Sequence, residues 1–342
     1  MIPAEHSHLY VAAITHAGMK GKENEDRYAI AAHQISESDR TPSLLMVVAD
    51  GVGGHRAGEV ASQIAIEQIV QTIGQSNGHA PLDTLRLAIN NATQAILDSA
   101  EQDQSRQGMG ATCICAWVMD DKLYACWLGD SRLYLMRDGV IWQATTDHTW
   151  IQEALSHGIL TPDQVPGHPN AHVIHRHLGS QNHNEPDFRL RTRPGDEEGA
   201  ESHQGFRLRG GDRLLLCSDG LTDLVTPEEI LKAVSDYPRE QALLGLVNLA
   251  NQRGGHDNIT ITLGEVPVKQ AAASHPSPLP KLNSLHFSLA CLGVAVLLIL
   301  ALAAILLMVW WFLYRPVDPT PPPVQETVLY LRAALEVWKP GR

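Results

Sequence analysis

Apolar runs that stop abruptly at an aspartate recur along this chain, and they leave few folds open to it. Leu44 to Ala49 (LLMVVA) is a continuous apolar run of buried-strand length, halted by Asp50-Gly51. The strand-like CWL and Gly129 end at Asp130, and LLLCS ends at Asp219-Gly220. Asp257 stands just ahead of Asn258 and the run ITITL, and Glu25-Asp26 just ahead of Tyr28 to Ala31. A chain built this way has several buried strands whose ends carry acids on rigid backbone.

Helical periodicity separates these strands into groups. Ala57 to Ile73 carries Val60, Ile64, Ile69 and Ile73 at helical spacing, and Leu82 to Ala100 carries Leu85, Ile89, Ala92 and Ile96 on one face. Ala111 to Met119, Lys122 to Leu128 and Arg132 to Arg137 read as strands, joined by turns at Asp120-Asp121 and Asp138-Gly139. Phe188 to Thr192, Arg213 to Cys217 and Asn258 to Leu263 are further strands. Pro227 to Val234 and Arg239 to Arg253 are helices, the first opened by Thr226-Pro227 as N-cap and first helical residue. Strands, a helix pair, more strands, a second helix pair and a last strand do not make a strict βαβ alternation. The order predicts an α+β fold, a sandwich of two mainly antiparallel β-sheets flanked by helix pairs.

The last quarter of the chain is different material. Leu282 to Tyr314 has no Asp, Glu, Lys or Arg, and Leu289 to Leu313 is almost wholly apolar. A span needs about 20 such residues. Trp310, Trp311 and Tyr314, followed by Arg315, have the aromatic and basic character of a membrane interface. The expectation is a domain over residues 1–266, a Pro/Ala/Ser linker over 267–284, a transmembrane helix over 285–314 in contact with membrane lipid, and a Pro-rich tail over 315–342. Val324 to Trp338 in that tail reads as a short amphipathic helix or as a frayed end. Residues 1–10 lack the basic start and apolar run of a signal peptide, so the expected placement is single-pass in a membrane with the large domain cytoplasmic.

Charge sharpens this division. The 342 residues carry 26 Lys/Arg and 38 Asp/Glu, a net charge of −12. Residues 269–342 hold six of the basic and three of the acidic residues, which leaves 20 against 35 before them and a net charge of −15. So acidic a domain argues against a nucleic-acid partner. Five cysteines argue against a disulfide-stapled fold.

Carboxylates that converge at a sheet edge repel, and a hard divalent cation relieves them. Oxygen donors point to Mg²⁺ or Mn²⁺ rather than Zn²⁺, and no Cys or His pair has zinc spacing. Glycine beside Asp50, Asp130 and Asp219 lets a backbone carbonyl approach closely.

The ordered blocks NED (Asn24 to Asp26), VVADGVGGHRAGEVAS (Val47 to Ser62), MGAT (Met109 to Thr112), LGDSRLYLMRDG (Leu128 to Gly139), TTDHT (Thr145 to Thr149), HPNAHVIHRHLG (His168 to Gly179), GDRLLLCSDGLTDLV (Gly211 to Val225) and GGHDNIT (Gly254 to Thr260) resemble the PPM family of metal-dependent protein Ser/Thr phosphatases, the type 2C class, in its bacterial form. The resemblance covers residues 8 to 264. It implies that Asp50 bridges two Mn²⁺ or Mg²⁺ ions, with the carbonyl of Gly51 on one and Asp219 and Asp257 completing the other. It implies that Glu25 holds the metals through water, that Asp26 supports it, and that Asp130 with Asp219 binds a third ion. The implied activity is hydrolysis of phosphoserine and phosphothreonine in proteins by a metal-activated water at a binuclear centre. The implied partners are phosphorylated proteins and the Ser/Thr kinases that the enzyme would oppose.

Two departures stand out. An Arg that clamps the substrate phosphate in many members is replaced by Gly21, flanked by Lys20 and Lys22, either of which can supply charge without the bidentate geometry. The position of a general-acid His in some members is Val52. Cys217 lies in a strand and reads as core rather than as a nucleophile. The stretch 194–204 (PGDEEGAESHQ) reads as an inserted surface loop. The alternatives are a catalytically weak membrane receptor or scaffold, and a phosphatase for small phosphorylated molecules.

Overall fold

The computed structural model describes residues 1–268, apart from 22, 53–56, 166, 183–184 and 197, and residues 284–314, with side chains in the latter stretch described at 297–311, 313 and 314. The chain divides into two units, Met1–Gln270 and Ala271–Arg342.

In the first unit the strands are β1 (Ile2–Pro3), β2 (Tyr10–His16), β3 (Arg27–Gln34), β4 (Pro42–Ala49), β5 (Gly51–Val52), β6 (Gly110–Ala111), β7 (Cys113–Met119), β8 (Lys122–Leu128), β9 (Arg132–Arg137), β10 (Val140–Gln143), β11 (Phe206–Arg207), β12 (Arg213–Cys217) and β13 (Ile259–Glu265). Its helices are α1 (Ala57–Gln75), α2 (Pro81–Gln102), α3 (Trp150–Ser156), α4 (Asp219–Thr222), α5 (Pro227–Asp236) and α6 (Arg239–Gln252). One sheet has the order β1-β3-β4-β7-β8-β11 and the other β10-β9-β12-β13-β2, with every pairing antiparallel.

The period of two along a strand explains the unbroken apolar runs. In β4, Leu45, Val47 and Ala49 face a layer shared with α1 and α2, while Leu44, Met46 and Val48 enter the core between the sheets. In β12, Leu214 and Leu216 meet that middle core, and Leu215 and Cys217 face a third layer with α5 and α6. Both faces of the central strands are covered, so alternation disappears from their sequence.

Local chemistry fixes the connections. The β7–β8 and β9–β10 hairpins turn at Asp120-Asp121 and Asp138-Gly139, where Asp120 and Asp138 adopt φ of 53° and 52°. Thr226 caps α5 through a reciprocal pair with Glu229, and Pro227 fills the first turn.

Two expected strands differ. Ala111 to Met119 is broken at Thr112, whose hydroxyl is engaged with the backbone of Asp50 and with Ser131 instead of leaving a regular ladder. Phe188 to Thr192 is not a strand. It touches β8 only through the Trp127–Asp187 bridge, and then Arg191 donates its N–H to the Ala144 carbonyl, so the segment crosses away from the sheet after one pairing. The side chain of Gln204 takes the vacated ladder positions, bonding both N–H and C=O of Ala125.

In the second unit α7 runs over Ser284–Leu313. Among the described residues no helix is long and apolar enough to cross a membrane. The span expected over 285–314 lies partly outside the described side chains, and residues 269–283 of the expected linker and the tail from 315 lie outside the described residues, while Ser284 already belongs to α7.

Candidate active site

Strand register gathers the acids. Arg27 at the start of β3 pairs with Ala49 at the end of β4, and Cys113 pairs with Leu128 at the end of β8. In the other sheet Cys217 pairs with both Arg132 and Ile261. Asp26, Asp50, Asp130, Asp219 and Asp257, each one or two residues beyond such an end, therefore share one edge of the sandwich.

Close backbone approach makes room for them. A Cβ on Gly51 would lie 2.3 Å from the carbonyl oxygen of Gly58 and 2.9 Å from that of Glu25, and one on Gly58 would lie 2.8 Å from Glu25 Oε1. A Cβ on Gly220 would lie 2.1 Å from the Asn258 carbonyl oxygen. Gly129, at φ 106°, leaves no space against Thr112. These glycines are needed to bring the segments together.

Neutral side chains then fasten the acidic loops. Asn258 accepts from the Glu25 N–H at 2.8 Å and donates to the carbonyls of Ala17 and Glu23. Asn24 donates to Thr15 Oγ1 and accepts from the Asp26 N–H. Ser218 donates to Asp26 Oδ2 at 2.7 Å and accepts from the Thr260 N–H at 3.0 Å, tying β12 and β13 to the first acidic loop. The Asp50 carbonyl accepts from the Thr112 N–H at 2.8 Å.

The carboxylates oppose one another. Burial, then the charges of Asp26, Asp219, Asp130 and Asp257, holds Asp50 well above the carboxylate range. Burial followed by Asp219 and Asp147 does the same to Asp130. Asp219 is pushed up to about 6, by burial and then by Asp223 and Asp257, and a hydrogen bond from Asp50 offsets part of this. Burial raises Asp26 to about 7 despite the hydrogen bonds to Ser218 and Thr260. Among the described residues Asp26 Oδ1 and Asp219 Oδ1 are buried with no hydrogen-bond partner. Buried oxygens without donors, amid acids that repel, are the donor set that a hard divalent cation satisfies.

The other expected site residues are placed as follows. Glu25 lies at Gly51 and Gly58 as described. Asp257 accepts from the Asn258 N–H at 2.9 Å. Lys20 is exposed on the turn before Gly21, and Lys22 lies outside the described residues. Cys217 is fully buried, and burial pushes its thiol up to about 12, which removes it as a nucleophile.

The structure adds residues that spacing did not single out. His172, Asp219 and Asp223 each present one ligand atom within 4.8 Å of the others, and His172 Nδ1 lies 3.5 Å from Asp223 Oδ2. With Asp130, Arg132 and Asp147 they line a cavity of about 300 Å³. A signal for Asp223 exists in the sequence, since DGLTD sets two acids four apart on a helical turn. His172 reaches them from a separate segment, which spacing cannot reveal.

Known proteins resemble this arrangement. A sequence model of the family described as Protein phosphatase 2C matches residues 15–244. The serine/threonine protein phosphatase PstP of Mycobacterium tuberculosis is 33% identical over 258 residues, covering 75% of this chain and 45% of that protein, so the chain spans about half the length of this relative. Protein phosphatase PhpP of Streptococcus pneumoniae is 32% identical over 266 residues, covering 75% of this chain and 96% of that one. Among solved structures, a serine/threonine phosphatase of S. agalactiae superposes with a TM-score of 0.65 at 27% identity, over 75% of this chain and 99% of that one. The catalytic domain of PstP in complex with two manganese ions superposes with a TM-score of 0.61 at 34% identity, over 75% and 97%.

Proposed function

Since the chain belongs to the protein phosphatase 2C family, we propose that it hydrolyses phosphoserine and phosphothreonine in proteins at a centre of two Mn²⁺ or Mg²⁺ ions. The observation that carries this reading is the edge of mutually raised, buried aspartates with unpartnered oxygens on Asp26 and Asp219. Asp50, the carbonyl of Gly51, Asp219 and Asp257 would hold the two ions, with Glu25 contributing through water. Asp130 with Asp219 would hold a third. When bound, such ions supply Lewis acidity to a water and to the phosphoryl oxygens.

The chain's own residues supply position and proton control. Ser218 fixes Asp26, and Asn258 fixes Glu25, so the acids keep their places while they repel. Asp50, held well above the carboxylate range beside Asp219, would give up its proton to a bound cation. Lys20 and Lys22 are proposed phosphate contacts in place of the missing Arg.

The same reading tethers the enzyme to a membrane through residues 285–314, with the large domain on the cytoplasmic side, where it opposes Ser/Thr kinases. Its support is the charge-free stretch from Leu282 to Tyr314 with aromatic residues at its end. Extraction of the expressed chain into detergent but not into alkaline carbonate supports the tether, and release by carbonate removes it.

The test of activity is hydrolysis of an aryl phosphate and of a phosphothreonine peptide with and without Mn²⁺. Metal-dependent turnover of both is expected. No turnover would favour a binding or scaffold role, and turnover of the aryl phosphate alone would favour small phosphorylated molecules.

A further inference from the structure

A second cavity, of about 590 Å³, adjoins the acidic one and shares Asp147 and Gln152 with it. Its lining is mixed, with Asp147, Glu153 and Glu198 beside three arginines. Arg176, Arg189 and Arg191 line it, in a domain where acidic residues outnumber basic ones by 35 to 20.

Matching the charges one by one leaves two guanidinium groups over. Asp147 is taken by Arg132 at 2.7 Å, and Glu153 lies 3.3 Å from His175 Nδ1. Arg189 is held by Asp187, and Glu198 on the wall acts on Arg189 as well. Arg176 Nη1 lies 3.4 Å from His148 Nε2. That nitrogen is no acceptor, however. The Gly129 N–H donates to Nδ1 of the same ring at 3.1 Å, so Nε2 carries the ring proton and gives it to Asp187 Oδ2 at 3.3 Å. Burial keeps His148 neutral, and Arg176 adds to that effect. Arg191 Nε is buried with no hydrogen-bond partner among the described residues. Among the described residues neither Arg176 nor Arg191 has a carboxylate partner.

The wall that holds these arginines is built rather than loose. Gly199, at φ 66°, packs so closely on the Arg189 carbonyl that a Cβ would lie 2.2 Å from it. The Ala200 N–H bonds the Leu190 carbonyl, and Asp196 accepts from the N–H groups of Thr192 and Gly199. Asp196, Gly199 and Ala200 are thereby fastened along the backbone of Arg189 to Thr192.

We propose that this cavity is a subsite for an anionic side chain, carboxylate or phosphate, that flanks the phosphorylated residue of a protein substrate. Guanidinium groups suit planar and tetrahedral oxyanions alike, and arginine clusters recognise acidic and phosphorylated motifs generally. The inference rests on the phosphatase reading, in which Asp130 and Asp219 on the wall of the adjoining cavity belong to the metal site.

The test uses three phosphothreonine peptides identical except at the flanking positions, which carry glutamine, glutamate or phosphoserine. In the full chain, kcat/KM is expected to be about tenfold higher with either anion than with glutamine, mainly through KM. Arg191→Gln and Arg176→Gln should each bring that ratio toward one. The ratio compares substrates on one protein, so partial misfolding does not imitate the effect. A preference for phosphoserine over glutamate identifies a second phosphate as the source, and equal preference identifies charge alone. A ratio near one in the unsubstituted chain, or one that both substitutions leave unchanged, overturns the subsite. Peptide affinities measured by calorimetry on the Asp219→Asn chain separate the two readings. An affinity ratio that persists in a chain whose unsubstituted form hydrolyses nothing keeps the subsite and removes the phosphatase. Turnover without any ratio does the reverse.

Discussion

Asp26 and Asp187 are both almost fully buried, 1% and 5% exposed, yet they titrate in opposite directions. Burial would raise either one. At Asp187 it is outweighed by hydrogen bonds from His148 and Arg189, and the carboxyl is held well below the usual carboxylate range. At Asp26 two neutral hydroxyl-bearing residues are the main compensation, neighbouring acids add to the burial effect, and the carboxyl rises to about 7. The chain thus answers its own buried charge where the role is to hold the segment after β8 in place. At the strand-end cluster it leaves the charge unanswered. The difference is that between an internal ion pair and a site prepared for an ion that comes from outside.

The strongest way to break this comparison is to neutralise the acids on the unanswered side. Asp50→Asn and Asp219→Asn should each lower Mn²⁺-dependent turnover by more than about a hundredfold, whereas Ser218→Ala, which only orients Asp26, should cost about tenfold to a hundredfold. Initial rates against Mn²⁺ concentration check both, and the Ser218→Ala loss should be partly restored at high Mn²⁺. Retention of full activity by Asp50→Asn would end the assignment.

On the answered side the expected effect is on stability, not on metal. Asp187→Asn removes an acceptor from His148 and Arg189 and should destabilise by about 1–3 kcal/mol, because Arg189 can still reach water. Denaturant unfolding with and without Mn²⁺ should give the same difference. A difference that appears only with Mn²⁺ would mean that Asp187 belongs to the metal site.

The two sides should also differ in their pH dependence. Asp26 goes from 3.8 unfolded to about 7 folded, so over that window the folded chain binds more protons than the unfolded one. Its contribution therefore favours folding at low pH and is lost as pH rises toward 7. Asp187, lowered in the fold, contributes with the opposite sign, its stabilisation fading as pH falls toward the acid range. In metal-free chain, Asp26→Asn should flatten the decline of unfolding free energy between pH 4 and 7, and Asp187→Asn should not. Added Mn²⁺ should reverse the decline in the unsubstituted chain.

The smallest expected effect is at Cys217. Cys217→Ala should leave Mn²⁺-dependent turnover within about twofold, since its thiol stays protonated in the core. Inactivation by this substitution would point to a thiol mechanism.

Much of the fold was legible because its signals are local. The runs ending at Asp50 and Asp219, the turns at Asp120 and Asp138, and the cap at Thr226 all depend on neighbours in sequence. Phe188 to Thr192 misled because its apolar and β-branched residues are buried by packing on other elements, not by a ladder, and Gln204 supplies the missing bonds from a distance. At the site, acids that interrupt apolar strands were visible as such. Their convergence was not, because it depends on register between strands and on glycines such as Gly58 and Gly220, whose necessity appears only when the opposing backbone is known. His172 and Arg176 belong to a segment folded over the site, and nothing in their spacing ties them to Asp223 or to Arg191.

The most direct test of the central claim is Mn²⁺ binding itself, followed by titration calorimetry on the metal-free chain near pH 7. At least two ions per chain are expected, with proton release as Asp50, held well above the carboxylate range, gives up its proton. The Asp50→Asn chain should lose both signals. Binding of fewer than two ions, or binding that Asp50→Asn leaves intact, would contradict the account.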